Sequence, residues 1–598
     1  MALNPELLRS ELEMFVNTGL DDNILEKFQE LCIQYQLDEV QIAEEWVAFS
    51  FNHNGLNPNL ETLERFEYEK LMKLGVKTQT RRRMEDVNSL LEIAEDNEGE
   101  ELIDSYSTPA KGSQKRQLTT PEQPVSKRKV GQGRSPLHYV SPSIISPSAT
   151  PSQKYSSRTN AGVVVASYGQ LHSMQWQGCQ GRTAQVERFT GGHDALLKRY
   201  KHMFQGLHDI REVLDQKIED MGHFLKEAYN IEEFSSLTLP TQETVTVLGQ
   251  ICCDGNGKLN SKSLLLEGNV EISAGFTVPL NISDVKEYSL FPGQVVVMDG
   301  INTSGQTFVA SKIYEGKPLP FYKPSSEELE NVNCEAAMVL VVCGPYTTSE
   351  GICFDPLLDL IAVIKRDRPD VCLLLGPFVD ITHEQVETCQ LKETFTSLLK
   401  SCILRIIEET QSLTTQLVFV PSLNDAFHNV VYPLPPYTDL RIPAQDTQRV
   451  HFVSEPSTIM INGVVFGLTS TDVFFHMSSE EIASVQMGSP DRFTRLLKHI
   501  LSQHSYCPLY PPPEDVPVNY EHLLQFATFS VTPDILILPS NLRHFMKEVL
   551  GCFCINPGRL TKGHVGGNFA RLIVQRPPAP ATGENLPLPC ISVQIVRI

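Results

Sequence analysis

The chain has 598 residues, 41% of them hydrophobic, and a formal net charge of −22. The apolar content is ample for several cores, and the length sets an expectation of roughly three to five domains. The acidic balance excludes a surface that grips nucleic acid everywhere, because phosphates would be repelled, and no apolar run is long enough to span a bilayer. Met1-Ala-Leu-Asn lacks the basic segment and apolar core of a secretory signal. Cysteines without regular spacing, several inside apolar runs (Cys343, Cys372, Cys402), suit a reducing compartment such as cytosol or nucleus. Cys252-Cys253 and Cys552-Phe553-Cys554 lack zinc-knuckle spacing and read as buried free thiols.

Residues 1–76 predict a small helical domain. Ile24, Leu25, Phe28, Leu31, Cys32 and Tyr35 recur at three- and four-residue steps, as do Val40, Ala43, Trp46, Val47 and Phe51. Asn54-Gly55-Leu56-Asn57-Pro58 breaks the pattern before Leu60, Leu63, Phe66 and Leu71 resume it. A small separate bundle suits protein docking.

Residues 77–160 predict a disordered linker, because apolar residues thin out and burial cannot offset the entropy of ordering. Lys115 and Arg116, followed at a distance by Lys127, Arg128 and Lys129, form paired basic clusters of the kind that import receptors bind, so a nuclear location is expected. Ser/Thr-Pro pairs at Thr108, Thr120, Ser135, Ser141, Ser146 and Thr150 are candidate phosphorylation sites, where added charge would alter docking without refolding anything.

Residues 161–330 predict a strand at Val163–Tyr168, two helices between Ala195 and Tyr229 with Leu214, Ile218, Met221 and Leu225 inward, and then a β-rich domain. Val245–Ile251, Ser263–Glu267, Phe276–Leu280, Gln294–Met298 and Thr307–Ile313 are short runs separated by Gly, Asn and Asp, which suggests an OB-type barrel. The strands carry few aromatics and no cluster of Lys and Arg, so protein contact is favoured over single-strand binding.

Residues 331–598 alternate strands and helices, which predicts a layered α/β domain. Met338–Cys343, Val371–Leu375, Leu417–Val420, Val464–Leu468 and Ile535–Leu538 read as strands. Asp355–Lys365 (Leu357, Leu358, Ile361 and Ile364 inward) and Phe395–Thr410 (Leu398, Leu399, Ile403 and Ile406 inward) read as helices. Sites in such sheets form at strand C-termini. A two-metal phosphoesterase needs Asp, His and Asn donors there. The turns instead read Cys343-Gly344-Pro345, Gly376-Pro377-Phe378-Val379-Asp380, Ser422-Leu423-Asn424-Asp425 and Pro539-Ser540.

At these positions the chain resembles the B-subunit family of replicative DNA polymerases, in which an OB barrel precedes an inactivated calcineurin-like phosphoesterase domain. The resemblance also rests on Tyr288-Ser-Leu-Phe-Pro-Gly-Gln294, Gly344-Pro-Tyr-Thr-Thr348, Asp355-Pro-Leu-Leu-Asp359, Asn556-Pro-Gly-Arg-Leu-Thr-Lys562 and Phe569-Ala-Arg571. Against active phosphoesterases, Cys343 and Pro345 stand at an Asp-x-His, and Pro377 at the bridging carboxylate. The Gly-Asn-His-Asp of active members becomes Ser422-Leu423-Asn424-Asp425, losing the Asn ligand and the general-acid His, and Ser540 stands where another His is expected. Asp380 and Asp425 remain, and two carboxylates do not make a two-metal site. The resemblance implies no cofactor, no catalysis and an accessory role in replication initiation. It also implies partners: the C-terminal zinc-bearing domain of a polymerase catalytic subunit, the primase subunits through it, and other replication proteins at the N-terminal domain. A divergent metal-dependent nuclease and a single-strand-binding OB protein remain as alternatives.

Overall fold

The computed structural model describes residues 154–598 apart from 170–175, 179–182, 192–194, 325–335, 578–587 and positions 203, 256, 439 and 487. It also describes Lys27, Phe28, Leu31, Cys32, Ile42, Trp46, Thr62 and Leu63. The chain divides into two compact units, Met1–Asn97 and Glu98–Ile598. In the first, the described positions are helical, and Phe28, Leu31, Cys32, Ile42, Trp46 and Leu63 are buried. The Phe28 and Trp46 rings meet edge to face at 5.6 Å. All the basic-cluster and Ser/Thr-Pro positions named above lie outside the described residues.

In the second unit a barrel closes from β3 (Thr241–Cys253), β4 (Leu264–Glu267), β5 (Thr277–Asn281), β7 (Val295–Asn302) and β8 (Phe308–Ile313), in the order β3-β4-β5-β8-β7. Every pairing is antiparallel except β5 with β8. Its interior is aliphatic, built on residues such as Val247, Leu266, Leu280, Met298 and Phe308. A single helix, α1 (Leu207–Tyr229), packs beside it through Ile218, Met221 and Leu225. Two helices were expected between residues 195 and 229; the described residues before Gly206 are irregular, and Gly206 itself stands at the N-cap with Asp209 reaching back to its amide.

The α/β body has four layers. One sheet runs β1 (Val164–Tyr168), β22 (Cys590–Arg597), β21 (Asn568–Gln575), β9 (Ala337–Cys343), β10 (Val371–Leu375), β11 (Gln416–Val420) and β12 (Val450–Phe452). The other runs β17 (Phe545–Val549), β18 (Cys552–Asn556), β16 (Ile535–Ile537), β14 (Val464–Leu468), β13 (Ser457–Ile461) and β2 (Val186–Arg188). A short hairpin of β19 (Thr561–Lys562) and β20 (Val565–Gly566) leads into β21. Val339, Val341 and Cys343 point between the sheets at residues such as Phe466 and Ile535. Leu340 and Val342 point outward, to α2 (Asp355–Asp367) and α3 (Phe395–Glu409). The second sheet is covered by α4 (Val473–Glu480) and α5 (Arg492–Ser502). Burial on both faces explains why β9, β10 and β11 are apolar at nearly every position.

Three expectations are corrected. Strands β1 and β2 pair with β22 and β13, so they belong to the body rather than with the barrel segment that follows them. The end of the expected linker is docked: Tyr155 is buried, its hydroxyl donates to Asp359 at 2.6 Å, and Arg158 Nε donates to the Ile598 carbonyl at 2.9 Å. Leu358 is exposed, and Leu360 takes the inward place on α2.

Barrel and body are stitched together. β6 (Tyr288–Leu290) pairs antiparallel with β15 (Ile482–Ser484). Gln503 bonds both the amide and the carbonyl of Val295, at 2.8 and 3.0 Å. Gly293 has φ +91°, and a Cβ there would lie 2.3 Å from the Tyr510 amide nitrogen, so the Phe291-Pro292-Gly293 turn can seat on the body only as glycine.

Candidate functional site

The C-terminal ends of β9, β10, β11, β14, β16 and β18 bring loops of both sheets to one edge of the body, the place where open α/β sheets form sites. The turns there are packed tightly on one another. A Cβ on Gly344 would lie 2.0 Å from the Pro377 carbonyl oxygen, and one on Gly376 would lie 2.6 Å from Asp425 Oδ2.

Of the residues anticipated from sequence, the structure brings Cys343, Asp380, Ser422 and Asp425 to this edge with distinct tasks. The Cys343 thiol is buried and donates to the Gly376 carbonyl at 3.3 Å. Burial pushes the thiol up to about 11, against the pull of the Arg559 guanidinium. Pro345 and Pro377 follow cis peptide bonds in the two turns. Asp425 is buried, and its carboxylate accepts the amides of Phe378, Val379 (3.2 Å) and Ser422 (3.0 Å) and the Tyr437 hydroxyl. Burial raises its pKa to about 6 although all these donors oppose the rise. Asp380 forms an isolated bridge with Asp425 and accepts from the Thr382 amide at 2.9 Å. Ser422 Oγ accepts from the Asn424 amide at 3.2 Å; Asn424 is exposed, and Leu423 packs against the helical side of the second sheet. Ser540 is fully buried, its amide donating to Asn556 Oδ1 at 3.0 Å and its Oγ accepting from the Leu542 amide at 3.2 Å. The side chains of Cys343, Asp380, Ser422, Asp425 and Ser540 are thus each bonded to the backbone of a turn.

The residue at the centre was not among the site residues anticipated from sequence. Arg559 is buried, and its guanidinium donates to Cys343 Sγ at 2.9 Å and to Asn541 Oδ1 at 3.2 Å, with Asp472 Oδ2 at 3.8 Å. Burial opposes its charge, but Cys343, Asp472 and Asp380 outweigh that and raise its pKa above the ordinary value. Asp472 also caps α4 and accepts the Asn541 amide at 2.7 Å. Nearby, Glu455 is buried beneath the Thr469 hydroxyl and the Ser470 and Thr471 amides, and burial lifts its carboxyl to about 7. The available signals were Arg559 inside the Asn556–Lys562 segment, directly after a buried strand, and the polar run Thr469–Asp472 at another strand end. Among the described residues no group of three or more His, Cys, Asp and Glu is placed to hold a metal ion. The donor set at the strand ends is therefore that of a closed edge, with its carboxylates turned to amides and to an arginine.

Comparison with known proteins agrees with the architecture. Residues 339–547 match the family model of the B subunit of DNA polymerases alpha and epsilon. Residues 211–316 match that of the OB domain of the DNA polymerase alpha B subunit, and residues 6–73 that of its N-terminal region. The chain is 50% identical over 608 residues to the DNA polymerase alpha B subunit of Rattus norvegicus, covering 100% of both. It is 51% identical over 557 residues to that of Bos taurus, covering 92% of this chain and 91% of the relative. To that of Saccharomyces cerevisiae it is 30% identical over 440 residues, 64% and 62% of the two chains. The fold and its closed strand edge are those of a multidomain accessory protein with an OB barrel and a mixed α/β body. The chain belongs to the B-subunit family of DNA polymerase alpha.

Proposed function

We propose that this accessory subunit of DNA polymerase alpha is a non-catalytic scaffold whose α/β body descends from a metal-dependent phosphoesterase. The observation that carries this reading is the commitment of the strand-end side chains: Cys343, Asp425, Ser422 and Ser540 serve backbone groups, and Arg559 stands among the remaining groups. The barrel and body form one clamp for the C-terminal zinc-bearing domain of the catalytic subunit, and through it for the primase subunits. The N-terminal unit docks other replication proteins. Lys115, Arg116, Lys127, Arg128 and Lys129 direct nuclear import, and the Ser/Thr-Pro sites tune docking.

A stable interface between subunits covers at least ~1,200 Å² around a few aromatic or arginine anchors, and apolar burial is not screened by salt. Residues 154–598 are therefore expected to copurify with the catalytic subunit's C-terminal domain at salt that strips phosphate contacts. Loss of the partner with the steep salt dependence of a DNA-binding protein refutes the clamp. The nuclease alternative predicts metal-dependent hydrolysis of phosphodiesters that copurifies with the chain and disappears on Asp380→Ala with Asp425→Ala; the scaffold predicts none.

A further inference from the structure

We propose that β1 is a docking edge for an extended segment of the polymerase catalytic subunit, which joins the seven-stranded sheet as a further strand. The inference rests on the reading of this chain as a subunit of that polymerase. Among the described residues the two large sheets end in four edge strands, β1 and β12 in one and β17 and β2 in the other. An edge strand leaves the N–H and C=O groups of alternate residues unpaired, and proteins blunt such edges with shortness, charge or cover. β12 and β2 have three residues each, and β2 carries Glu187 and Arg188. β17 carries Lys547 and Glu548. β1, Val164-Val-Ala-Ser-Tyr168, has five residues and no charge. Val163, Val164, Val165 and Tyr168 are between 37% and 52% exposed. A bulge between Val164 and Ala166 interrupts the ladder to β22 once, and Ala166, Ser167 and Tyr168 then pair in regular register.

The strand is held firmly while its outer side stays open. At its start the Gly162 amide donates to the Arg597 carbonyl, and the Arg597 amide to the Val163 carbonyl, both at 2.9 Å. At its end the Tyr168 ring packs 4.6 Å from that of Phe553 in the second sheet. The described points that follow lie on its paired side: a Cβ on Gly169 would be 2.6 Å from the Ile591 carbonyl oxygen of β22, and Trp176 lies under the Arg571 guanidinium of β21 at 4.8 Å. A strand already ordered in this way loses little entropy when another pairs with it. Its unpaired backbone groups select an extended segment over a helix, since only a strand matches their spacing. Its exposed valines select alternating apolar side chains on that segment. A second copy is disfavoured, because each copy brings a net charge of −22. An uncharged apolar edge is a liability in a free protein and is tolerated where a lasting partner covers it, which is the situation of a constitutive subunit.

The test is hydrogen exchange on the full-length chain, alone and in complex with the full-length catalytic subunit, together with the affinity of wild type and of Val164→Lys with Val165→Lys. Both positions are exposed, so the double variant is expected to melt with wild type. Exchange of residues 163–168 should slow roughly tenfold or more in the complex, as new inter-strand bonds form. The lysine variant should bind roughly tenfold more weakly, because strand addition would bury its ammonium groups. Val165→Thr, which keeps the β-branched shape, should bind as wild type does. Unchanged exchange at 163–168 in a complex that has formed overturns the proposal and leaves the scaffold reading standing; failure of the complex to form removes both. Protection at 163–168 with undiminished affinity of the lysine variant overturns it too, since the protection then comes from elsewhere. So does sedimentation of the chain alone as a dimer that the lysine variant dissociates, which assigns the edge to a second copy. If the lysine variant fails to fold, exchange in the wild type decides alone.

Discussion

Single side chains at the strand ends carry more than packing. Asp425 accepts three amides and a tyrosine hydroxyl, and Asp425→Ala strands those buried donors. A loss of roughly 2–4 kcal/mol is expected from denaturant unfolding, against about 0.5 or less for a surface change. The same burial makes stability depend on pH in a definite direction. Asp425 moves from 3.8 to about 6 on folding and Glu455 from 4.5 to about 7. Both hold a proton more tightly when folded, so the contribution is fully present below the unfolded pKa and is lost as pH rises through the folded one. Wild-type stability relative to Glu455→Gln should therefore fall between about pH 4.5 and pH 7; a difference that stays flat across that window would show that folding does not raise the Glu455 pKa.

At the level of elements, the β6–β15 pairing is held by a buried cluster. Ser289 Oγ donates to Glu481 at 2.6 Å and lies 2.7 Å from His499 Nε2, while Arg492 and Arg495 approach the same carboxylate at 3.2 and 3.0 Å. Glu481→Ala would leave two arginines short of a counter-charge, at a cost on the order of 3–5 kcal/mol. The expected result is a separate, earlier melting transition for the barrel; a single unshifted transition would count against the cluster as the joint. How far such elements were legible depends on their burial. β9, β10 and β11 are buried on both faces and so announce themselves as apolar runs, and the barrel strands are bounded by Gly, Asn and Asp. β2, β12 and β15 have three residues each, too few for any periodicity. Placing β1 in the body requires its pairing with β22, at the far end of the chain. Arg559 was visible as a letter but not as a cation in a site, because its partner Cys343 lies 216 positions earlier. The sequence shows which residues stand at the strand ends; only the folded chain shows which groups they face.

For the whole molecule, charge separates two kinds of contact. With a net charge of −22, the isolated chain is expected to hold single-stranded DNA weakly and to release it as salt rises, while retaining its protein partner; fluorescence anisotropy across a salt series checks this. Replacing Lys127, Arg128 and Lys129 with alanine should lower nuclear accumulation of the chain expressed apart from its partner, measured by fractionation. The joint between barrel and body has a mechanical side as well. Besides the β6–β15 ladder, Gln503 grips Val295, and Lys217 of α1 reaches the Pro508 carbonyl at 3.2 Å. A hinge turns most freely about a single attachment, and several attachments restrict it. Barrel and body are then expected to move together, so that a push by a partner at one end is felt at the other. Two partners seated on them would be kept at a constant spacing, as on a ruler.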